Sequence, residues 1–204
     1  MLYYGRLKIH ILNGSDRMIY IDIDETVRNF FTPIENKYGI KKEQWADWDT
    51  KINGKGFCSF LDKDMSENAP LTELGEQIKT HMKHRDATMS DGYQLFLFGH
   101  RAIFLSGAIH KKETSYWMSK HFSTPNRANS NVIFVEKSED KYKYLKDCEW
   151  FIDDCPKLGL YPDLKWKWIC IPQPYNFGVK CYARTDNINI IRSIINDSTG
   201  KHSL

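Results

Sequence analysis

The sequence predicts an α/β fold, an open parallel sheet covered by helices on both faces. Short apolar segments recur along the chain, among them Met18-Ile19-Tyr20-Ile21, Ile103-Phe104-Leu105 and Val132-Ile133-Phe134-Val135. Stretches of helical periodicity separate them. Polar and acidic residues follow directly on several of the apolar segments, and ligands of parallel sheets bind at the carboxyl ends of the strands.

Taken in order, Leu7–Leu12 alternates and reads as an edge strand closed by Asn13-Gly14. Met18–Ile21 is a buried strand that runs into acidic residues. A helix is expected from about Thr26 to Lys37, stopped by Gly39. Residues 40–70 mix Trp45, Trp48, Phe57 and Phe60 with many charges, and they read as a small, mostly helical insert. Leu71, Leu74, Ile78 and Met82 then follow a helical stripe back toward the core. Asp86–Gly92 reads as a loop. Leu95–Phe98 and Ile103–Leu105 are strands, followed by a helix over Lys111–His121. Val132–Val135 is a strand, Lys141–Lys146 a helix, Trp150–Ile152 a strand, Trp168–Ile171 a strand ended by Pro172, and Ile188–Ile195 the closing helix.

Composition narrows the class. A chain of 204 residues fits one domain with a small inserted part, and 41% apolar with 27% charged residues is ordinary for a folded protein. No apolar run reaches the ~18 residues of a membrane helix. The first residues lack a signal-peptide shape, and five cysteines with no CxxC pair suit a reducing compartment better than a zinc site, so a cytoplasmic protein is expected. A net charge of +3 is too small to imply stable nucleic-acid binding.

The chemistry concentrates after the strands. Asp22-Ile23-Asp24-Glu25-Thr26 follows the first, Ser106-Gly107 follows Ile103–Leu105, lysines including Lys137, Lys141 and Lys143 follow Val132–Val135, and Asp153-Asp154 follows Trp150–Ile152. Carboxylates brought together from two strands form a hard oxygen site suited to Mg²⁺, which also relieves their repulsion. A lysine and a hydroxyl beside them suit phosphate oxygens. A carboxylate held in line with a phosphorus atom is a competent nucleophile.

These residues resemble the four motifs of the haloacid dehalogenase superfamily: DxDx[TV] at 22–26, a strand-ending hydroxyl at Ser106, a lysine at Lys141 or Lys143, and the acidic pair Asp153-Asp154. The resemblance spans about residues 18–178. It implies a three-layer, Rossmann-like core of residues 1–29 and 91–204, with a helical cap at 30–90 inserted after the first strand. It also implies roles. Asp22 is expected to be the nucleophile and a Mg²⁺ ligand. Asp24 is expected to be the general acid and then base, its carbonyl also on the metal. Ser106 would hold phosphoryl oxygens, Lys141 (or Lys143) would neutralise the nucleophile and phosphate, and Asp153 and Asp154 would complete the metal site.

Within the superfamily, Ile152–Pro156 and Ile171-Pro172-Gln173-Pro174-Tyr175-Asn176 are similar to the 5′(3′)-deoxyribonucleotidases and their bacterial and phage relatives. In those enzymes an aromatic residue eight past the nucleophile stacks on the base, and here that position is Phe30. Thr26, Gly107, Trp45 and Trp48 are further candidates for the substrate pocket. The chain departs from these relatives in having Gly107 after Ser106 and Glu25 after Asp24. DxDET also occurs in phosphatases of the RNA polymerase C-terminal domain. The resemblance therefore implies a phosphatase for a small phosphate ester, nucleotide-like, in a chain that can form a homodimer. The alternatives are a phosphatase for a phosphoprotein or nucleic-acid end, and a silent binding module.

Overall fold

The computed structural model describes residues 18–47, 49–86, 93–107, 109–122, 131–146 and 148–200. Eight strands form one sheet: β1 (Met18–Asp22), β2 (Met82–Asp86), β3 (Tyr93–Leu97), β4 (His100–Gly107), β5 (Val132–Val135), β6 (Trp150–Asp153), β7 (Trp168–Cys170) and β8 (Ala183–Arg184). Their order is β2-β3-β4-β1-β6-β7-β8, with β5 also on β4. The pairs among β5, β4, β1, β6, β7 and β8 are parallel, whereas β2, β3 and β4 are joined antiparallel. The α/β class expected from the sequence is what forms.

One edge of β4 has two partners. Residues 100–102 pair with β3 and residues 104–107 with β5. The strand that carries Ser106 is thus laddered on both sides near its end, with β1 opposite.

Continuous apolar strands are buried on both faces because successive side chains point opposite ways. Ile19 and Ile21 of β1, Phe104 of β4 and Ile152 of β6 enter one core, which α3 (Glu73–His81), α4 (Lys111–Phe122) and α6 (Ile188–Gly200) cover with Ile78, Trp117 and Ile191. Tyr20, Leu105 and Phe151 point the other way, into a core closed by Leu145 of α5 (Tyr142–Leu145) and by Leu158 and Leu164. That second layer is thin, built from one helical turn and 3-10 turns rather than from long helices.

Between β1 and α3 lies the insert. Its own cluster joins Phe30, Phe31, Ile34, Ile40, Trp45, Phe60, Met65 and Ala69. It contains α1 (Phe31–Tyr38), two 3-10 turns and α2 (Lys63–Asn68). Gly39, at φ 67°, ends α1 as the sequence predicts, its N–H donating to the Glu35 carbonyl. Ring edges hold the rest: Phe57 meets Phe31 and Trp45 at centroid distances of 5.4 and 5.2 Å. The insert leaves and returns at one point, where Arg28 pairs with Leu71 and the Asn29 N–H donates to the Pro70 carbonyl at 2.9 Å. Leu71, Leu74, Ile78 and Met82 pack in the main core, so the separate cluster ends near residue 69 rather than 90.

Other expectations shift. The helix expected from Thr26 begins only at Phe31. Residues 23–28 instead close on themselves: the Ile23 carbonyl accepts from the N–H groups of both Val27 and Arg28, and the Glu25 N–H donates to the Arg28 carbonyl. Glu25 sits at φ 58°, a left-handed conformation that a helix does not admit. α3 presses on this loop, and a Cβ on Gly75 would lie 2.3 Å from the Val27 carbonyl oxygen. β2 occupies residues where the sequence suggested a helix end and a loop; its Lys83-His84-Arg85-Asp86 gives no apolar pattern to read. β3 and β4 form a hairpin through Phe98 and Gly99, both at positive φ. Leu7–Leu12, Trp48 and most of the 86–92 loop lie outside the described residues.

Candidate active site

The carboxyl ends of β1, β4 and β6 meet because these strands are neighbours in register, Asp22 beside Leu105 and Ile21 beside Ile152. This brings Asp22, Ser106 and Asp153 to one edge. Lys141 reaches the same place from the turn before α5. The residue is 4% exposed, and its ammonium donates to Asp22 Oδ1 at 2.7 Å and to Asp153 Oδ2 at 2.8 Å. Lys143, the other lysine left open by the sequence, is exposed and pairs with Asp140. Of the two, Lys141 is the one that meets the strand-end carboxylates.

Asp153 is fully engaged, since its Oδ1 also accepts the Cys155 N–H at 2.8 Å. Asp154 accepts from the Thr26 hydroxyl at 3.5 Å and from the Tyr175 hydroxyl. The Asn176 side chain holds its backbone, donating to the Asp154 and Ile171 carbonyls at 2.8 Å each. Asp24 turns one oxygen to Arg28 and the other to the Ser106 hydroxyl, 3.3 Å away.

Charge is unbalanced here. Carboxylate oxygens of Asp22, Asp153 and Asp154 all lie within 4.8 Å of one another, and Lys141 is the buried cation set against all three. Burial pushes the Asp22 carboxyl well above its ordinary range against the pull of Lys141. Burial and then Asp153 raise Asp154 to about 6. Burial opposes the Lys141 charge, but Asp153 and Asp22 outweigh it and hold the ammonium above its usual value. Burial likewise raises Glu25, opposed by the Phe30 N–H that donates to it at 2.7 Å. Three carboxylic acids buried together are a donor set that fits a hard divalent cation.

Above the cluster is a cavity of about 410 Å³. Its floor includes Asp22, Asp24, Lys141 and Asp154, and its insert side includes Phe30, Trp45, Phe57 and Leu61. That volume is in the range of small-molecule sites.

Not every expected residue faces this space. Gly107, Phe30 and Trp45 line it. Phe30 is only 1% exposed, with the Arg28 guanidinium 4.5 Å from its ring centroid, so little of its face is free. Thr26 does not line it: the loop turns its hydroxyl to Asp154 and its carbonyl to Thr72, which corrects its expected place on the substrate. Ser106 has no exposed surface and reaches the site through Asp24.

Three residues escaped the sequence reading. Arg28 stands four after Asp24, a spacing that reads as an ordinary ion pair on a helix surface. Tyr175 lies in a Pro-rich segment after β7, where its hydroxyl is not foreseeable without the fold. Phe57 could be read only as one of several insert aromatics, yet it is partly open and lines the cavity.

No known family profile matches the chain, and no curated protein matches it. Among solved structures it is similar to a haloacid dehalogenase-like hydrolase of Burkholderia xenovorans LB400, at 8% identity and a TM-score of 0.48, over 90% of this chain and 98% of that one. No helix among the described residues is long and apolar enough to cross a membrane.

Proposed function

We propose that the chain is a Mg²⁺-dependent phosphomonoesterase of the haloacid dehalogenase superfamily, acting on a small, nucleotide-like phosphate ester. The observation that carries this reading is the Lys141 ammonium shared between Asp22 and Asp153 at the strand ends, on the floor of an aromatic-walled cavity. Mg²⁺ would be held by Asp22, Asp154 and the Asp24 carbonyl, with Asp153 beside them, and would supply positive charge against the phosphoryl oxygens.

The chain's own groups then divide the reaction. Asp22 attacks phosphorus through a carboxylate oxygen while the bond from phosphorus to the ester oxygen breaks. Asp24 gives its proton to that leaving oxygen. In the second step a water attacks the phosphorus of the aspartyl phosphate and gives a proton to Asp24, and the acyl phosphate P–O bond breaks to free Asp22 and inorganic phosphate. Lys141 neutralises Asp22 and the incoming phosphoryl charge, and Ser106 steadies Asp24.

The insert favours a small substrate over a polymer end. Its rings wall the cavity opposite the acids, and such a lid excludes water as well as bulk. Phe57 and Tyr175, both partly open, offer faces for a planar base beside the more covered Phe30. A base stacked on such a face is worth about 1–3 kcal/mol.

The test is phosphate release from deoxy- and ribonucleoside monophosphates, with Mg²⁺ and with chelator, for the wild-type chain and Asp22→Asn. Mg²⁺-dependent release from some nucleotides, lost in Asp22→Asn, is expected. Release from an aryl phosphate alone would remove the nucleotide assignment. Release that persists in Asp22→Asn would overturn the mechanism.

A further inference from the structure

Arg28 is the largest charged side chain buried among the described residues, 2% exposed. A buried guanidinium is costly unless its donors are met. Here they are met from three separate elements. Nε donates to Asp24 Oδ1 at 2.9 Å, and Nη2 donates to the same oxygen. Nη2 also donates to the Thr114 hydroxyl of α4 at 3.1 Å, and Nη1 to the Ser66 carbonyl of α2 at 3.1 Å. Two rings fix the plane of the group, Phe30 at 4.5 Å and Trp117 at 5.3 Å from its carbon.

The fork therefore cannot turn without losing contacts to the core and to the insert together. Asp24 cannot turn freely either, because one of its oxygens is on the fork and the other accepts from Ser106. The backbone adds to this: the 23–28 loop is closed by the Ile23 and Arg28 carbonyls, and Asp24 and Arg28 form a bridge.

We infer that Arg28 is the positioning residue for Asp24, fixing the rotation of its carboxyl group toward the leaving oxygen, and that this placement is complete only while α2 of the insert is seated on the core. The inference rests on the proposed reading of Asp24 as acid and base. The physical ground is that proton transfer requires hydrogen-bond reach, and a displacement of about 1 Å can cost about 10²-fold in rate. A planar fork fixes such an angle, whereas a point charge on a flexible stem does not.

A positioning role and a merely structural one differ in leaving-group dependence. An alkoxide needs a proton as it departs; a nitrophenolate scarcely does. The experiment measures kcat/KM of wild type, Arg28→Gln and Arg28→Lys on β-glycerol phosphate and on 4-nitrophenyl phosphate, with folding checked by circular dichroism. Arg28→Gln is expected to lose about 10²-fold on the alkyl ester and less than about tenfold on the aryl ester. Arg28→Lys keeps the charge and loses the fork, so it should shift the ratio in the same direction by less. Equal losses on the two esters in a folded variant overturn the inference, as does an unchanged ratio. If Arg28→Gln does not fold, Arg28→Lys decides by the same ratio. Absence of any Asp22-dependent release by the wild-type chain overturns the phosphatase reading itself, which is a separate result.

Discussion

The strand-end cluster and the insert above it are built on opposite plans. At the strand ends directional bonds tie Lys141 to Asp22 and Asp153, and Thr26 and Tyr175 to Asp154, and the backbone beneath is laddered from both sides. Among the described residues of the insert no strand joins the sheet, the helices are short, and ring edges supply the cohesion: Trp45 against Phe57 and Phe60, Tyr38 against Phe60. The difference separates two tasks. Fixed dipoles and charges are suited to stabilising a transition state. Apolar rings, which have many nearly equal packings, are suited to accepting one ligand shape over another.

The largest effect that would break this comparison is at Lys141. Lys141→Gln leaves three buried carboxylates facing one another, so chemical denaturation of the metal-free chain should show a loss of about 3–5 kcal/mol. The same change at exposed Lys143 should stay within about 0.5 kcal/mol. Similar losses at the two lysines would mean that the cluster is not held by charge.

A smaller effect follows from Asp154. Its carboxyl is raised to about 6 from an ordinary 3.8, so the folded chain binds this proton more tightly than the unfolded chain does. The stabilisation from that proton is complete below pH 3.8 and is lost as pH rises through about 6. At the proposed site Mg²⁺ would compete with the proton for the same oxygens. The stabilisation on adding Mg²⁺, read as a rise in melting temperature, should therefore grow as pH climbs across that window, with the free energy reaching about 2.7 kcal/mol at a hundredfold excess over Kd. A Mg²⁺ effect independent of pH between 5 and 7 would remove Asp154 from the proposed metal site.

The smallest effect sharpens the other side. Phe57→Leu keeps an apolar side chain but deletes the ring contacts with Phe31 and Trp45, each worth about 0.5–1.5 kcal/mol. Hydrogen exchange should quicken across residues 31–69 and stay unchanged in β1, β4 and β6. Equal quickening in both regions would show that the insert and the sheet open as one unit.

The same contrast explains what the sequence made legible. β1, β4 and β6 are apolar runs buried on both faces, and such runs end visibly where the charges begin, so Asp22, Ser106 and Asp153-Asp154 could be placed beforehand. Which of Lys141 and Lys143 meets the acids needed the turn before α5, because two lysines two positions apart on a helical turn point in different directions. Arg28 was hidden for a related reason. Asp24 and Arg28 look like a helical i, i+4 pair, but the positive φ at Glu25 and the paired carbonyls of the loop draw them inward instead. β2 was hidden because an edge strand with polar side chains carries no pattern that its neighbours do not supply. Thr26 illustrates the limit from the other side: its motif position was readable, and the direction of its hydroxyl was not.

The insert departs beside Arg28 and returns at Leu71, with Asn29 and Pro70 bonded across the gap. A segment whose ends already touch adds to its host little more than the entropy of closing a loop, and that cost grows only slowly with length. The neck between residues 28 and 71 therefore works as a socket. What is plugged into it can be lengthened, shortened or exchanged while the acids below keep their positions. The exchange is limited by Arg28, whose contact with Ser66 requires each replacement to offer a carbonyl at the same place.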